Sequence, residues 1–93
     1  MIRSFADRET ELVWQGIRSK RLPQNVQVAG LRKLRLINRA ETVAELRSPP
    51  GNRLEALRGD RDGQWSIRIN EQWRICFRWV NDNAENVEVV DYH

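Results

Sequence analysis

Arginines and side chains able to transfer protons are concentrated in the last third of this 93-residue chain. Five arginines fall between positions 58 and 78, and the sequence ends Asp91-Tyr92-His93. Cations beside acid–base groups suit metal-free cleavage of RNA, in which a base takes the 2′-hydroxyl proton, cations stabilise the phosphorane and an acid protonates the leaving oxygen. The candidates for these roles are Glu55, Arg58, Arg61, Arg68, Arg74, Arg78, Asp91, Tyr92 and His93.

Other enzyme classes lack their signature residues. The chain has no glycine-rich phosphate loop, no paired carboxylates at a diagnostic spacing and no interior histidine for a Ser/His/Asp set. Cys76 is the single cysteine and cannot form an internal disulfide, and no Cys/His cluster offers the ligands that a zinc site needs. We therefore expect chemistry without a metal ion or an organic cofactor.

Alternation of apolar and polar residues predicts the strands that carry these side chains. It runs through residues 65–69, 73–79 and 87–93, with polar turns at 59–63, 70–72 and 81–86, and so predicts an antiparallel meander. A shorter run at 53–57 predicts one more strand, in which Leu54, Ala56 and also Leu57 can face inward. Arg74, Cys76 and Arg78 fall on the polar side. The apolar side is expected to be core and comprises Trp65, Ile67, Ile69, Trp73, Ile75, Phe77, Trp79, Val87 and Val89.

The first half of the chain supplies the helices that cover this sheet. A short strand is expected at residues 2–5, and Asp7 is a suitable N-cap for a helix that stops at Gly16. The longest helix is predicted from Gln24 to about Ala40, and a capping box at residues 42–45 predicts one further helical turn. The expected apolar stripe of the long helix is Val28, Leu31, Leu34 and Ile37.

Together these elements predict an α+β fold in one domain spanning residues 1–93. An N-terminal strand and two to three helices would pack on a mainly antiparallel, twisted sheet. The N-terminus has no signal-peptide pattern, and no run approaches the ~20 apolar residues of a membrane span. We expect a soluble, cytoplasmic protein without a membrane partner.

Positive charge is concentrated in the first half of the chain. Residues 1–39 hold nine basic against three acidic residues, a net charge of +6, whereas residues 40–93 carry a net −3. Arg32, Arg35 and Arg39 share one helix face. They either point into water or contact RNA or an acidic partner. The full set of candidates for contacts to RNA or the ribosome is Lys20, Arg21, Arg32, Lys33, Arg35, Arg39, Arg53 and Arg68.

Three motifs carry a resemblance to a known family. They are Gly59-Asp60-Arg61-Asp62-Gly63-Gln64-Trp65-Ser66-Ile67, Gln72-Trp73-Arg74-Ile75-Cys76-Phe77 and Val90-Asp91-Tyr92-His93. In this order and spacing they resemble the HigB toxins of the RelE/ParE superfamily, the toxins of type II toxin–antitoxin modules also known as plasmid maintenance killer proteins. The likeness spans the whole chain, and it is weakest between residues 18 and 50.

The resemblance implies a RelE-like fold and a ribosome-dependent mRNA endoribonuclease, an mRNA interferase, that acts without a metal. The implied partners are a HigA-type antitoxin with a helix-turn-helix domain, the 70S ribosome and mRNA. Operator DNA would be bound only through the antitoxin. Two alternatives remain open: a non-catalytic inhibitor that binds RNA or the ribosome, and a co-repressor that binds DNA with its antitoxin.

The resemblance also assigns roles to single residues. Arg74 matches an arginine that stabilises the scissile phosphate, and Asp91, Tyr92 and His93 match C-terminal residues used in catalysis and positioning. Arg58 stands where a lysine contributes; an arginine there stays protonated, so it stabilises charge without acting as a general acid. Glu55 departs from the family, because its place can hold a histidine. Glutamate could act as a base, yet its charge repels RNA, which implies weaker activity.

Each of these sites has a purely structural alternative. Asp60 and Arg61 are better explained as residues that fix the 59–63 turn by hydrogen bonds than as catalytic groups. His93 could be no more than the end of the chain, and Tyr92 a packed edge residue. Arg74 has the strongest case for chemistry.

Overall fold

The computed structural model describes residues 1–92 and combines two α-helices with one four-stranded sheet. The sheet order is β1-β2-β3-β4, and every neighbouring pair is antiparallel. The predicted α+β class and the antiparallel meander are confirmed. The elements are α1 (Arg8–Trp14), α2 (Gln24–Arg39), β1 (Glu55–Ala56), β2 (Trp65–Arg68), β3 (Trp73–Val80) and β4 (Asn83–Asp91), with 3₁₀ turns at Val43–Arg47, Pro50–Asn52 and Gly59–Arg61.

The N-terminal segment pairs with β4 in a parallel direction. Ile2 bridges Ala84 and Phe5 bridges Val87, and backbone hydrogen bonds of 2.8 to 3.1 Å accompany both bridges. The strand expected at residues 2–5 is therefore present as two isolated bridges. Their position covers the outer edge of β4, which would otherwise expose unpaired backbone groups.

Helix α1 begins and ends where its sequence signals predict. The Asp7 carboxylate accepts a hydrogen bond from the Thr10 backbone N–H at 2.8 Å, as an N-cap does. Gly16, at φ 77°, follows the helix in the left-handed conformation that glycine tolerates. The fully buried Thr10 hydroxyl accepts from the Val89 N–H at 2.9 Å. This contact fixes α1 against the last strand.

The buried side of α2 differs from the predicted stripe. Val28 is 58% exposed, while the buried positions are Val26, Gly30, Leu34 and Ile37. The predicted residues recur every three positions, and each such step falls short of the 3.6-residue turn, so a stripe of that spacing drifts around the helix. The observed spacing of four, four and three residues follows one face. Gly30 lies there because Ile69 packs against it, 3.6 Å from where a Cβ would stand.

Two strand boundaries differ from the prediction. β1 has only two residues. Its Ala56 is exposed, whereas Leu57, also among the residues expected to face inward, is buried. β4 begins at Asn83, not after Asn86, because Asn81 and Asp82 at φ 50° and 63° form a tight two-residue turn.

The pairing of β3 with β4 contains a register shift, and this shift explains why polar residues occur within β4. The pairing jumps between Cys76 and Arg78, and Asn86 has a φ of 53°. This bulge lets Ala84 and Val87 both face the core, although they are three residues apart.

The core lies between the helices and one side of the sheet. As predicted, Ile67, Ile75 and Phe77 are fully buried, and the tryptophans of β2 and β3 pack against them. Alternation along the strands then leaves the other side for polar residues. We refer to this second side as the polar face; its central residues are Glu55, Ser66, Arg74, Cys76 and Glu88.

Candidate functional site

One row of residues crosses the polar face from edge to edge. Glu55, Ser66, Cys76 and Glu88 are successive cross-strand partners, one from each strand. Ser66 and Cys76 in the middle are fully buried, whereas the two glutamates at the ends reach solvent. The centre of the row is thus fixed by packing, and its ends can meet a ligand.

Arg74 lies beside this row and is held by several acceptors. Its Nε donates to Ser66 Oγ at 2.8 Å, and its Nη2 donates to the Arg53 carbonyl at 2.7 Å and to the Ser66 carbonyl at 3.4 Å. Only 9% of the residue is exposed. Nη1 donates to none of residues 1–92, so the fixed guanidinium keeps two N–H groups for a ligand.

Glu55 and Tyr92 flank this guanidinium. A Glu55 carboxylate oxygen lies 3.6 Å from Arg74 Nη2, and half of the glutamate side chain is exposed. The Tyr92 ring centre is 5.7 Å from Arg74 Cζ, within the range of a cation–π contact. The Tyr92 N–H donates to the Gln72 carbonyl at 2.7 Å, which fixes the end of β4. A carboxylate, a guanidinium and a phenol therefore converge at one end of the polar face.

Asp91 does not join this group. Asp91 is the cross-strand partner of Trp73, and cross-strand partners share a face, so Asp91 lies on the helix side of the sheet edge. Its carboxylate accepts from Gln72 Nε2 at 3.1 Å. His93 lies outside the described residues.

Arg58, which precedes the 59–63 turn, and Arg61 within it have different surroundings. Arg58 is exposed at the start of the 3₁₀ turn and lies beyond the row of Trp65 and Phe77. At ~3.3 Å per residue, it is roughly 10 Å or more from Arg74 along the strands. Arg61 Nη1 donates to Gln64 Oε1 at 3.0 Å and to Glu88 Oε1 at 3.2 Å. Arg61 thus fixes the turn to β4, in agreement with its structural alternative.

Cys76 forms a dry floor beneath the site. The residue is fully buried, and burial raises the pKa of its thiol from 9.0. The charges of Glu88 and Glu55 raise this pKa further, and those of Arg61 and Arg74 lower it. A protonated, inaccessible thiol is a poor nucleophile. Among residues 1–92, no group of three or more His, Cys, Asp or Glu side chains is arranged to hold a metal ion.

A groove of about 570 Å³ lies on the opposite, helix side of the sheet. Its floor is apolar, and four predicted RNA-binding residues stand around it. We call this the basic groove; it is lined by Ala29, Arg32, Lys33, Arg35, Leu36, Arg39, Pro49 and Ile69. Burial, and secondarily the charge of Arg32, lowers the pKa of Lys33. Lys33 Nζ donates to the side-chain oxygen of Asn52.

The other predicted RNA-binding residues are dispersed. Lys20 and Arg21 are exposed between α1 and α2. Arg53 is exposed at φ 46°, and its carbonyl faces Arg74. Arg68 is the direct cross-strand partner of Arg74, and its Nε donates to the Asn70 carbonyl at 3.0 Å. Arg68 therefore belongs with the candidate site more than with the basic groove.

Sequence reasoning missed the groups that hold Arg74 and the C-terminal end. Ser66 and the Arg53 carbonyl accept from the Arg74 guanidinium, and Gln72 binds Asp91 and the Tyr92 N–H. The signal that could have found Ser66 is the β2–β3 register, because a short turn at 70–72 brings residues 66 and 74 close together on one face.

Residues 3–93 match the family model described as RelE-like toxin of type II toxin-antitoxin system HigB. The chain belongs to this HigB-like toxin family. The toxin family predicted from the three motifs is thereby confirmed.

Two relatives share this family likeness over nearly their whole length. Toxin HigB-1 of Vibrio cholerae serotype O1 is 39% identical over 87 residues, 92% of each chain. Endoribonuclease HigB of Proteus vulgaris is 35% identical over 94 residues and is covered completely, as is this chain. The HigB-like chain is therefore a toxin of a type II toxin–antitoxin system.

A solved structure supports the predicted fold. A chain of the YoeB–YefM complex from Staphylococcus aureus superposes with a TM-score of 0.63 and covers 100% of the HigB-like chain and 98% of its own length. At 14% identity this likeness concerns the fold alone, and it confirms the RelE-like architecture. Within residues 1–92, no helix of the HigB-like chain has the length and apolar character to cross a membrane.

Proposed function

We propose that this HigB-like toxin is an endoribonuclease that cuts mRNA in the ribosome and so inhibits translation in the cytoplasm. The observation that carries the proposal is the immobilised Arg74 guanidinium, with Nη1 available, between Glu55 and Tyr92 on the open polar face. Preorganised donors aimed at developing negative charge are a main source of catalytic power. The endoribonuclease relative from Proteus vulgaris supports the same chemistry.

The proposed reaction is metal-free cleavage by the neighbouring 2′-hydroxyl. Glu55 takes the 2′-hydroxyl proton, the 2′-oxygen bonds to phosphorus, and Arg74 stabilises the added charge of the phosphorane. The bond to the 5′-oxygen then breaks, and an acid returns a proton to it, leaving a 2′,3′-cyclic phosphate and a 5′-hydroxyl. Tyr92 and His93 are the candidate acids.

Glu55 is preferred as the base over Asp91. The Glu55 carboxylate lies 3.6 Å from the Arg74 guanidinium, whereas Asp91 lies on the other side of the sheet edge and accepts from Gln72. Asp91 is assigned the role of fixing the C-terminal end. Its neighbour Tyr92 then faces the substrate.

Cations outside the group of Glu55, Arg74 and Tyr92 would extend the surface that binds RNA. Arg58 and Arg68 lie on either side of the central row and would contact phosphates of the bound mRNA. The other candidates serve contacts to ribosomal RNA, in which Lys and Arg release counterions from phosphates. They are Lys20, Arg21, Arg32, Lys33, Arg35, Arg39 and Arg53.

The proposed partners are a HigA-type helix-turn-helix antitoxin, the 70S ribosome and mRNA, with operator DNA bound through the antitoxin. Membership of a type II toxin family supports an antitoxin partner. The YoeB–YefM assembly, described as a toxin–antitoxin complex, shows that this fold can assemble with one.

Primer extension on a defined mRNA tests the proposal. Purified toxin is incubated with the mRNA alone, with 70S ribosomes alone and with translating ribosomes. New 5′ ends only in the translating reaction would support ribosome-dependent cleavage. Blocked translation without new ends would instead support the non-catalytic inhibitor, an alternative favoured by Glu55 partly neutralising Arg74. DNA binding with the antitoxin is compatible with either result.

A further inference from the structure

Asn52 connects several parts of the structure from a fully buried position. Its Nδ2 donates to the Leu46 carbonyl at 3.1 Å and to the Ser48 carbonyl at 3.2 Å. Its Oδ1 accepts from Lys33 Nζ, which reaches it from the basic groove. Both N–H groups of the Asn52 amide, and one lone pair of its oxygen, are therefore in use.

The next residue carries this arrangement to the polar face. Arg53 has a φ of 46°, a left-handed conformation that is uncommon for a residue with a side chain. It ends the 3₁₀ turn Pro50–Asn52 and directs its carbonyl to Arg74 Nη2 at 2.7 Å. Only the peptide unit between Asn52 and Arg53 thus separates a side chain held by α2 from a carbonyl that accepts from Arg74.

We propose that Asn52, held by Lys33, is a positioning residue for Arg74. The pair fixes the 50–53 loop so that two acceptors hold the guanidinium: the Arg53 carbonyl accepts from Nη2, and the Ser66 hydroxyl accepts from Nε. The inference rests on the proposed function for its catalytic consequence, but the positioning itself is a property of the folded protein. It also gives Lys33 a role that the neighbouring groove arginines do not share.

Local structure explains why this loop needs a side-chain anchor. β1 is only two residues long, so the ladder of the sheet does little to fix residues 50–54. The loop's own backbone bonds are short-range, from Asn52 N to Pro49 O at 2.9 Å and from Arg53 N to Pro50 O at 3.1 Å. Neither bond fixes the loop relative to the helix or the sheet. Leu54 packs against the core at the end of this segment. The Asn52 side chain, the Lys33 ammonium and the Arg74 guanidinium provide the polar connections of the loop to α2 and to the sheet.

The test follows the Arg74 Nε–H signal by NMR in the ¹⁵N-labelled full chain. Arg74→Lys identifies the signal by removing it. In the wild-type protein the signal should persist at neutral pH, because the N–H donates to the buried Ser66 hydroxyl. Asn52→Ala should shift the signal or abolish it by exchange with water, since local opening governs exchange.

Lys33→Met provides the same test while the Leu46 and Ser48 carbonyls keep their Asn52 donor and only Asn52 Oδ1 loses a partner. It therefore remains decisive if Asn52→Ala does not fold. Two matched controls should leave the signal unchanged. Arg32→Met removes one charge from the same groove without contacting Asn52, and Asn38→Ala removes an amide that accepts from the Ile2 N–H far from Arg74. An unchanged signal in Lys33→Met, and in Asn52→Ala where it folds, would overturn the proposal.

Cleavage kinetics provide the functional half of the test. Lys33→Met should lower kcat by about 10-fold, because small displacements of a catalytic group are costly, whereas Arg32→Met should raise KM alone. If the wild-type protein cuts no RNA, the proposed function fails, and the NMR result still decides whether Asn52 positions Arg74. A shifted Arg74 signal with an unchanged kcat would overturn the catalytic consequence.

Discussion

Arginines on the two sides of the sheet are held in different ways. Arg74 on the polar face is 9% exposed and makes three hydrogen bonds within the protein. Arg32, Arg35 and Arg39 line the basic groove on α2 and are exposed. A guanidinium fixed by acceptors is suited to stabilising charge at one point, because its orientation is settled before a ligand arrives. Exposed arginines can follow phosphates of varied position, at the cost of ordering their side chains when they bind.

This difference predicts which variants lose rate and which lose affinity. The largest effect should come from Arg74→Ala, which removes the proposed stabiliser of the phosphorane. We expect cleavage to fall by about 10³-fold and growth inhibition to be abolished. The fold should survive, with a loss of about 1–3 kcal/mol because the Ser66 hydroxyl is left buried without its partner. Thermal unfolding of the purified variant, beside primer extension, measures both. Retained toxicity would remove the central catalytic assignment.

Glu55→Gln should have the second largest effect. If the carboxylate is the general base, its loss lowers the cleavage rate by about 10²-fold, while Asp91→Asn has a smaller effect because Asp91 lies on the other side of the sheet edge. The matched control is Glu41→Gln, an exposed carboxylate beyond the end of α2. Faster cleavage by Glu55→Gln would show instead that the charge of Glu55 only repels RNA and neutralises Arg74.

Replacing Arg32, Arg35 and Arg39 together with Ala should weaken ribosome binding without changing the chemistry. Each lost phosphate contact lowers the salt slope by about 0.7, so the slope should fall by roughly 2. Ribosome binding measured from low to high salt gives this slope. The control is a triple variant of Arg3, Arg8 and Arg47, which are exposed outside the basic groove. An unchanged slope would show that the helix face points into water or toward the antitoxin.

The smallest effect concerns the floor of the polar face. Because burial raises the pKa of the Cys76 thiol above its ordinary 9.0, the protonated thiol contributes stability that is fully present below that value. The contribution is lost as the pH rises through the higher folded-state pKa. The stability advantage of wild type over Cys76→Ala should therefore shrink in alkaline solution, as measured by denaturant unfolding. A stability difference between wild type and Cys76→Ala that stays constant with pH would show that water reaches the thiol in the folded protein.

The sheet could be predicted from sequence because alternation is local. Ile67, Ile75 and Phe77 reveal their buried side by spacing alone, and the Asp7 cap is a short-range signal. The α2 stripe was mispredicted at Val28, since a spacing of three residues fits a helix face for only a short distance. The start of β4 was misplaced because polar residues at 83–86 mask the strand, and the bulge at Asn86 changes the alternation.

The candidate site could be predicted only in part. Arg74, Glu55 and Tyr92 were identified from residue type, alternation and family resemblance, and the structure brings them together. The groups that hold Arg74 were missed because Ser66 and the Arg53 carbonyl reach it through strand register and loop geometry, which composition does not encode. The separation of Asp91 from Arg74 follows from alternation, but its significance depends on where the guanidinium points.

Single-turnover cleavage of mRNA at saturating ribosome concentration compares the two cationic regions most directly. Arg74→Ala and the triple alanine variant of Arg32, Arg35 and Arg39 are measured side by side with wild type. We expect the triple variant to recover the wild-type rate once ribosomes are saturating, and Arg74→Ala to remain slow at every concentration. A slow triple variant with a wild-type rate for Arg74→Ala would contradict the assignment of chemistry to the polar face.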